Sequence, residues 1–146
     1  ICLAGYRGND GGPCPACAAG THKRGTGVGV CESCPRGTYN NQEASVQCRP
    51  CPRGTYNNQE GVVGCSACAT GKYSAALGAE TAATCLQCPY ATYNSALGAQ
   101  GSVTCTVCGI GTYNNVEGST TCAACGIGTF AALPRSLSCR QCPINT

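Results

Sequence analysis

The spacing of the cysteines is the feature of this sequence that most restricts its fold. Seventeen of the 146 residues are cysteine, and sixteen of them form eight C-x-x-C pairs, with Cys2 alone in front. Successive pairs are offset by 17, 17, 17, 20, 20, 17 and 17 residues. A short and nearly constant period of this kind predicts an array of small repeated units rather than one globular domain.

The remaining composition cannot supply an ordinary hydrophobic core. Only 19 residues are Leu, Ile, Val or Phe, and Met and Trp are absent. Because the abundant alanines bury little area, covalent bonds must replace apolar burial, as they do in small secreted modules. We therefore expect a small disulfide-rich fold with little regular secondary structure and almost no helix, built as an elongated rod of tandem short β-loop repeats.

The segments between the pairs are also alike. The decapeptide CPRGTYNNQE begins at Cys34 and is repeated unchanged from Cys51, and close variants follow Cys68, Cys88 and Cys108. A ring stands five residues after the second cysteine of each pair, at His22, Tyr39, Tyr56, Tyr73, Tyr93, Tyr113 and Phe130. We expect these rings to pack on a neighbouring disulfide or on the next repeat's backbone. We interpret His22 in the same way, as a substituted packing ring rather than a catalytic or metal-binding group.

The repeat gives the domain boundaries. We assign residues 1–16 to a partial leading repeat, 17–33, 34–50, 51–67, 68–87, 88–107, 108–124 and 125–141 to tandem cysteine-rich repeats, and 142–146 to the start of a further repeat.

Local signals within each unit predict a two-stranded loop. Gly before Thr-Tyr favours a turn followed by a short extended piece. Asn-Asn with a Gly a few residues later suits a tight turn, because both residue types tolerate left-handed backbone angles. The two 20-residue units place their extra residues after Gly78 and Gly98, which indicates a tolerant loop tip there.

Zinc binding is the main alternative use of these cysteines, because two consecutive C-x-x-C pairs also match a zinc ribbon. Zinc modules would take the pairs two at a time and leave dissimilar linkers between modules. Here every gap carries the same motif, and the sequence has one histidine. We therefore favour disulfides, and we expect no cofactor or metal.

Spacing alone does not determine the connectivity, but the periodicity favours a bond from the second cysteine of each pair to the first cysteine of the next. Cys142 is then unpaired within this segment, and we expect its partner to lie beyond residue 146 in a longer polypeptide. The favoured bonds are Cys2–Cys14, Cys17–Cys31, Cys34–Cys48, Cys51–Cys65, Cys68–Cys85, Cys88–Cys105, Cys108–Cys122 and Cys125–Cys139.

Charge and the placement of polar residues argue against several functions. The net charge of +3 is too weak to indicate nucleic acid or a membrane surface, and no apolar run is long enough to span a bilayer. The carboxylates occur singly, and Glu43, Glu60 and Glu117 share one repeat position, so they would be spaced apart rather than paired. With one histidine and no carboxylate pair, we expect no enzymatic activity.

The pattern C-P-x-G-T-Y, then Gly, then C-x-x-C-P, resembles the ephrin-receptor-like cysteine-rich repeat and is more distantly similar to the first module of tumour-necrosis-factor-receptor repeats. The resemblance extends over residues 14–143 and is clearest from Cys34 to Cys125. It implies an extended, solvent-exposed extracellular stalk without shared catalytic residues. It also supports the connectivity given above, because the receptor-type modules use that scheme.

Two functions are then open for this secreted or cell-surface segment. The first is a structural element of a fibre, matrix, flagellar hair or cell coat, because identical surfaces at equal intervals can assemble by one repeated contact with copies of the chain or with other structural proteins. The second is the stalk of a receptor or adhesion protein that binds a protein ligand. The first is favoured because no cluster of large apolar or arginine anchors marks a binding patch. Ser, Thr and Pro are plentiful enough to predict O-linked glycans.

Overall fold

Seven small hairpins in tandem make up the regular structure of the chain, as seen in a computed structural model that describes residues 1–144. Each odd-numbered strand pairs with the even-numbered strand that follows it, and no α-helix occurs among the described residues. The strands are β1 Thr21–His22, β2 Glu32–Ser33, β3 Thr38–Tyr39, β4 Arg49–Pro50, β5 Thr55–Tyr56, β6 Ser66–Ala67, β7 Lys72–Tyr73, β8 Leu86–Gln87, β9 Thr92–Tyr93, β10 Thr106–Val107, β11 Thr112–Tyr113, β12 Ala123–Ala124, β13 Thr129–Phe130 and β14 Arg140–Gln141.

The Gly-Thr-Tyr motif, or a close variant of it, builds the first strand of each hairpin. In the unit that begins at Cys34, Gly37 has a φ of 74°, and the Thr38 hydroxyl donates to the Pro35 carbonyl at 2.7 Å. The turn is thereby closed, and β3 pairs antiparallel with β4, with Tyr39 opposite Arg49. The hairpin is completed by a bond from the Cys51 N–H to the Gly37 carbonyl at 2.8 Å.

The longer units differ from the others at one place. Two short 3-10 turns, Ala82–Thr84 and Ser102–Thr104, follow Gly78 and Gly98 and precede the second strand of their hairpins. The extra residues of the 20-residue units therefore lie in the loop where the sequence placed them. The rest of the hairpin is unchanged.

The chain divides into two compact units. The first contains Ile1–Ser66 and Ala76–Thr84, and the second contains Ala67–Ala75 and the chain from Cys85 onward.

Within each of these two compact parts of the chain, successive repeats are joined by recurring backbone hydrogen bonds. The Gly37 N–H donates to the Asn57 carbonyl at 2.9 Å, and the Gly61 N–H donates to the Cys34 carbonyl at 2.8 Å. The second of these bonds recurs at 2.8–3.0 Å between Ala44 and Cys17, Gly78 and Cys51, Gly98 and Cys68, Gly118 and Cys88, and Arg135 and Cys108.

The buried interior is made largely of sulfur and small residues. The second cysteine of a C-x-x-C pair is fully buried at Cys17, Cys34, Cys51, Cys68, Cys88 and Cys108, and the alanines at 79, 91, 99 and 131 complete the apolar interior. Large aliphatic side chains such as Leu97 and Ile110 are exposed. Covalent bonds thus occupy the place that an aliphatic core holds in larger domains.

The predicted fold class of small, disulfide-rich hairpin repeats with almost no helix is confirmed. One detail of the turn prediction is wrong. The left-handed backbone angles fall on glycines and on Ala44, Ala91 and Arg135, whereas no asparagine of the described chain has a positive φ. No helix within residues 1–144 is long and apolar enough to cross a membrane.

Candidate functional site

Eight disulfides run through the chain, one for each hairpin and one for the leading loop. The structure brings together the same pairs of cysteines that the periodicity favours, with Cα–Cα distances of 5.4–5.8 Å, and Cys142 is free and exposed. The bonds are Cys2–Cys14, Cys17–Cys31, Cys34–Cys48, Cys51–Cys65, Cys68–Cys85, Cys88–Cys105, Cys108–Cys122 and Cys125–Cys139.

The aromatic residues of the repeat lie at the ends of the first strands of the hairpins. Tyr39, Tyr56, Tyr73, Tyr93, Tyr113 and Phe130 are all half-buried, whereas His22 is buried. A half-buried ring has one side against protein and one side toward solvent, which fits a packing role.

A recurring asparagine, six residues after the second cysteine, joins one repeat to the one before it. The Asn57 side chain is 5% exposed, and its Nδ2 donates to the Thr38 carbonyl of the preceding repeat at 2.9 Å. Its Oδ1 accepts the Gln59 N–H at 2.9 Å, which forms the local turn. Asn40, Asn94 and Asn114 make the same contact to Thr21, Lys72 and Thr92.

The Asn-Asn pair predicts only a local turn, so the contact of this asparagine with the preceding repeat does not follow from that prediction. Its recurrence at one fixed distance from the cysteine was the available signal. Lys23, Ser74 and Ala131 stand at the corresponding position in the other repeats.

His22 forms the one polar cluster that involves a disulfide in the described chain. Its Nδ1 lies 3.3 Å from the Cys48 Sγ and 3.1 Å from the Glu32 carbonyl oxygen, and its Nε2 lies 3.9 Å from a Glu32 carboxylate oxygen. Because a carbonyl can only accept, Nδ1 carries a hydrogen. The ring is therefore held against the Cys34–Cys48 disulfide with an N–H directed at sulfur and carbonyl oxygen.

The same cluster satisfies the distance criterion for a metal site. One ligand atom from each of His22, Cys34 and Cys48 lies within 4.8 Å of the others. The two sulfurs are bonded to each other, however, so neither is the thiolate that zinc requires. The residues do not fit a resident metal ion while this disulfide is intact.

The acidic residues make few contacts. Asp10 pairs with the N-terminal ammonium at 3.5 Å, where both groups are largely exposed, and Glu32 is the acidic partner of His22. Exposed pairs of this kind contribute little to stability. Among the described residues, no two carboxylates are brought together as a site.

The surface depressions are lined by residues of one repeat or of two adjacent repeats. One depression in the leading region is lined by Arg7, Asn9, Pro13 and Val30, and another, near the end of the chain, by Phe130, Leu133 and Arg140. Neither contains a group of converging titratable residues of the kind that performs acid–base chemistry.

Two stretches of the chain match a known protein family. Residues 37–85 and 97–142 match the family described as tyrosine-protein kinase ephrin type A/B receptor-like. No curated protein matches the chain at a significant level.

The matched segments begin and end within the hairpin array, and each contains two complete disulfide-closed loops. They extend over more than half of the sequence, and the repeats that they contain are of an extracellular, receptor-type class. By its hairpins, by its disulfides and by this match, the chain belongs to the ephrin-receptor-like family of cysteine-rich repeats.

Proposed function

We propose that this segment is a structural repeat element of an extracellular fibre, matrix, flagellar hair or cell coat, with copies of the chain or other extracellular structural proteins as its partners. The observation that carries the proposal is the recurrence of one joint between repeats. In this joint, the N–H of the residue ten positions after the second cysteine of a pair, such as Gly61, donates to the carbonyl of the second cysteine of the preceding pair, such as Cys34. The bond occurs six times, with lengths of 2.8–3.0 Å.

A repeated joint is suited to a mechanical role. Each repeat presents the same backbone groups to its neighbour, so stiffness is distributed evenly and depends little on any one side chain. We also propose that the segment has no catalytic activity, since its carboxylates stand singly and its histidine contacts a disulfide.

A receptor or adhesion stalk is the alternative, and the family match favours it, because the family is named for a class of receptors. In that case the segment would separate a ligand-binding domain from the membrane. Both functions use the same array of repeats. In a fibre or coat the array contacts structural partners, whereas in a receptor it connects a ligand-binding domain to the membrane.

Electron microscopy of native material labelled with an antibody against this chain tests the proposal. We expect label at regular intervals along fibres or across a coat. Isolated stalks that carry label, each with a distinct bound partner at one end, would contradict the structural function and favour the receptor stalk.

A further inference from the structure

One disulfide of this chain has a chemical environment unlike the others. His22 occupies the position at which five repeats have tyrosine and one has phenylalanine, and it is the single histidine of the sequence. Its ring is 6% exposed, and its Nδ1 lies 3.3 Å from the Cys48 Sγ. Cys34–Cys48 therefore has an N–H donor beside its sulfur.

Such a donor stabilises the reduced form of the disulfide. Breaking a disulfide places negative charge on a departing sulfur, and an imidazole N–H next to that sulfur lowers the energy of the thiolate. A phenol or phenyl ring that packs through its carbon atoms has no such donor on its face.

We propose that Cys34–Cys48 is a redox-active disulfide that undergoes exchange with dithiols, and that His22 is the proton donor of this exchange. The proposal is independent of whether the segment belongs to a fibre or to a receptor stalk. It assigns a chemical site to a chain whose other disulfides are structural.

The exchange proceeds in two steps. A thiolate of the dithiol attacks Sγ of Cys48, which is half-buried, while Cys34 is fully buried. The protein S–S bond breaks with its electron pair on the Cys34 sulfur, which takes up a proton, and a mixed disulfide forms at Cys48.

In the second step, the remaining thiol of the reagent attacks the reagent sulfur of the mixed disulfide. Cys48 then leaves as a thiolate and receives the Nδ1 proton of His22 as Nε2 takes up a proton from solvent, after which proton exchange with solvent restores Nδ1–H. The protein gains two electrons and two protons, and the dithiol is oxidised to a cyclic disulfide.

The chain contains a matched internal reference. Cys51–Cys65 also closes a separation of 14 residues, begins with the same decapeptide, and has one fully buried and one half-buried sulfur. At the position equivalent to His22, the repeat before it has Tyr39. A difference in reactivity between the two bonds therefore measures the effect of the histidine.

The test is brief reduction of the folded chain with a limiting amount of dithiothreitol. The reaction is quenched with acid, the freed thiols are alkylated, and the remaining bonds are then reduced and alkylated with a second, isotopically distinct reagent. Mass spectrometry gives the reduced fraction of each cysteine. We expect Cys34–Cys48 to be reduced about tenfold faster than Cys51–Cys65. The adjacent Cys34 sulfur rapidly re-closes the mixed disulfide, so the departure of Cys48 in the second step governs the net rate, and a stabilised Cys48 thiolate departs faster.

Two reciprocal variants separate the proton donor from the surrounding structure. His22→Tyr restores the residue of the other repeats and should equalise the two rates. Tyr39→His should transfer the fast reduction to Cys51–Cys65. Equal rates in the unaltered chain, or a preference for Cys34–Cys48 that persists in His22→Tyr, would overturn the proposal.

Discussion

Two residue positions in each repeat have left-handed backbone angles, and they differ in what surrounds them. The first follows the second cysteine by three residues, as at Gly37, where an added Cβ would overlap the Gly78 carbonyl oxygen. The second follows it by ten, as at Gly78, where the nearest atoms lie 3.6 Å away or more. At Gly78 the second position has room for a side chain, and Ala44 and Arg135 occupy this position in other repeats with φ of 55° and 62°. The first position holds Ala91 in one repeat, with φ of 60°, so the overlap at Gly37 belongs to that repeat and not to every one.

Replacing Gly37 by alanine should destabilise the chain through both strain and steric overlap. We expect the free energy of unfolding to fall by at least about 2 kcal/mol. The left-handed angle alone costs an alanine roughly 1–2 kcal/mol, and the added Cβ also collides with the backbone. Urea unfolding of the disulfide-intact protein, followed by tyrosine fluorescence, measures the change.

Gly111→Ala is the matched control for this variant. Gly111 has a φ of 79° but no neighbouring heavy atom within 4 Å of an added Cβ. Its substitution should cost only the strain of the left-handed angle, about 1–2 kcal/mol, and less than Gly37→Ala. Equal losses for the two variants would show that the close approach at Gly37 is unimportant.

The hairpin is the element that could be predicted best from the sequence. Gly-Thr-Tyr gives a turn and a strand from residues adjacent in the chain, and the place of the three-residue insertions follows from comparing units. The role of Asn57 could not be found in this way, because its partner Thr38 is 19 residues away in another repeat. In a periodic sequence, the same recurrence fits a local turn and a contact between repeats equally well.

For His22 too, the position within the repeat could be predicted from the sequence, whereas its contact partner in another repeat could not. Its place in the ring position of the repeat predicted a packing role against a disulfide. The identity of that disulfide, and the direction of Nδ1 toward Cys48, depend on how successive hairpins stack. Stacking is a long-range property that spacing within one repeat does not contain.

Asn57→Ala should loosen the joint between the repeats that begin at Cys34 and Cys51. The substitution removes the bonds to the Thr38 and Gln59 carbonyls and leaves the Gln59 N–H without its acceptor. We expect a cost of about 1–3 kcal/mol, typical of buried polar groups that lose their partners. Amide hydrogen exchange should become faster across residues 37–61.

The neighbouring Asn58 provides the control, because it is the same residue type but exposed. Asn58→Ala should change stability by less than about 0.5 kcal/mol, as surface substitutions usually do. Faster exchange of similar size in both variants would contradict a specific role for Asn57.

For the molecule as a whole, the disulfides are the main source of stability. The buried apolar residues are cysteines and alanines, and the larger aliphatic side chains are exposed. Seven bridges join cysteines separated by 14 or 17 residues, and each is worth about 3 kcal/mol in the chain-entropy model. Full reduction should therefore unfold every repeat.

Thiol counting tests this arrangement directly. The folded 146-residue chain should react with one equivalent of iodoacetamide, at Cys142, and with 17 equivalents after reduction in denaturant. Loss of near-ultraviolet circular dichroism should accompany full reduction. Two or more reactive thiols in the folded, unreduced protein would contradict the observed pairing.

The uniform joint between repeats has a consequence for how such a chain can change over generations. The segments that begin at Cys34 and Cys51 share an unbroken decapeptide, so these two repeats are nearly interchangeable in this part of the sequence. Loss or gain of one whole unit would leave each remaining repeat with a neighbour that offers the same carbonyl and N–H groups. The array can therefore become longer or shorter by one repeat at a time, and no new interface between repeats has to arise by mutation.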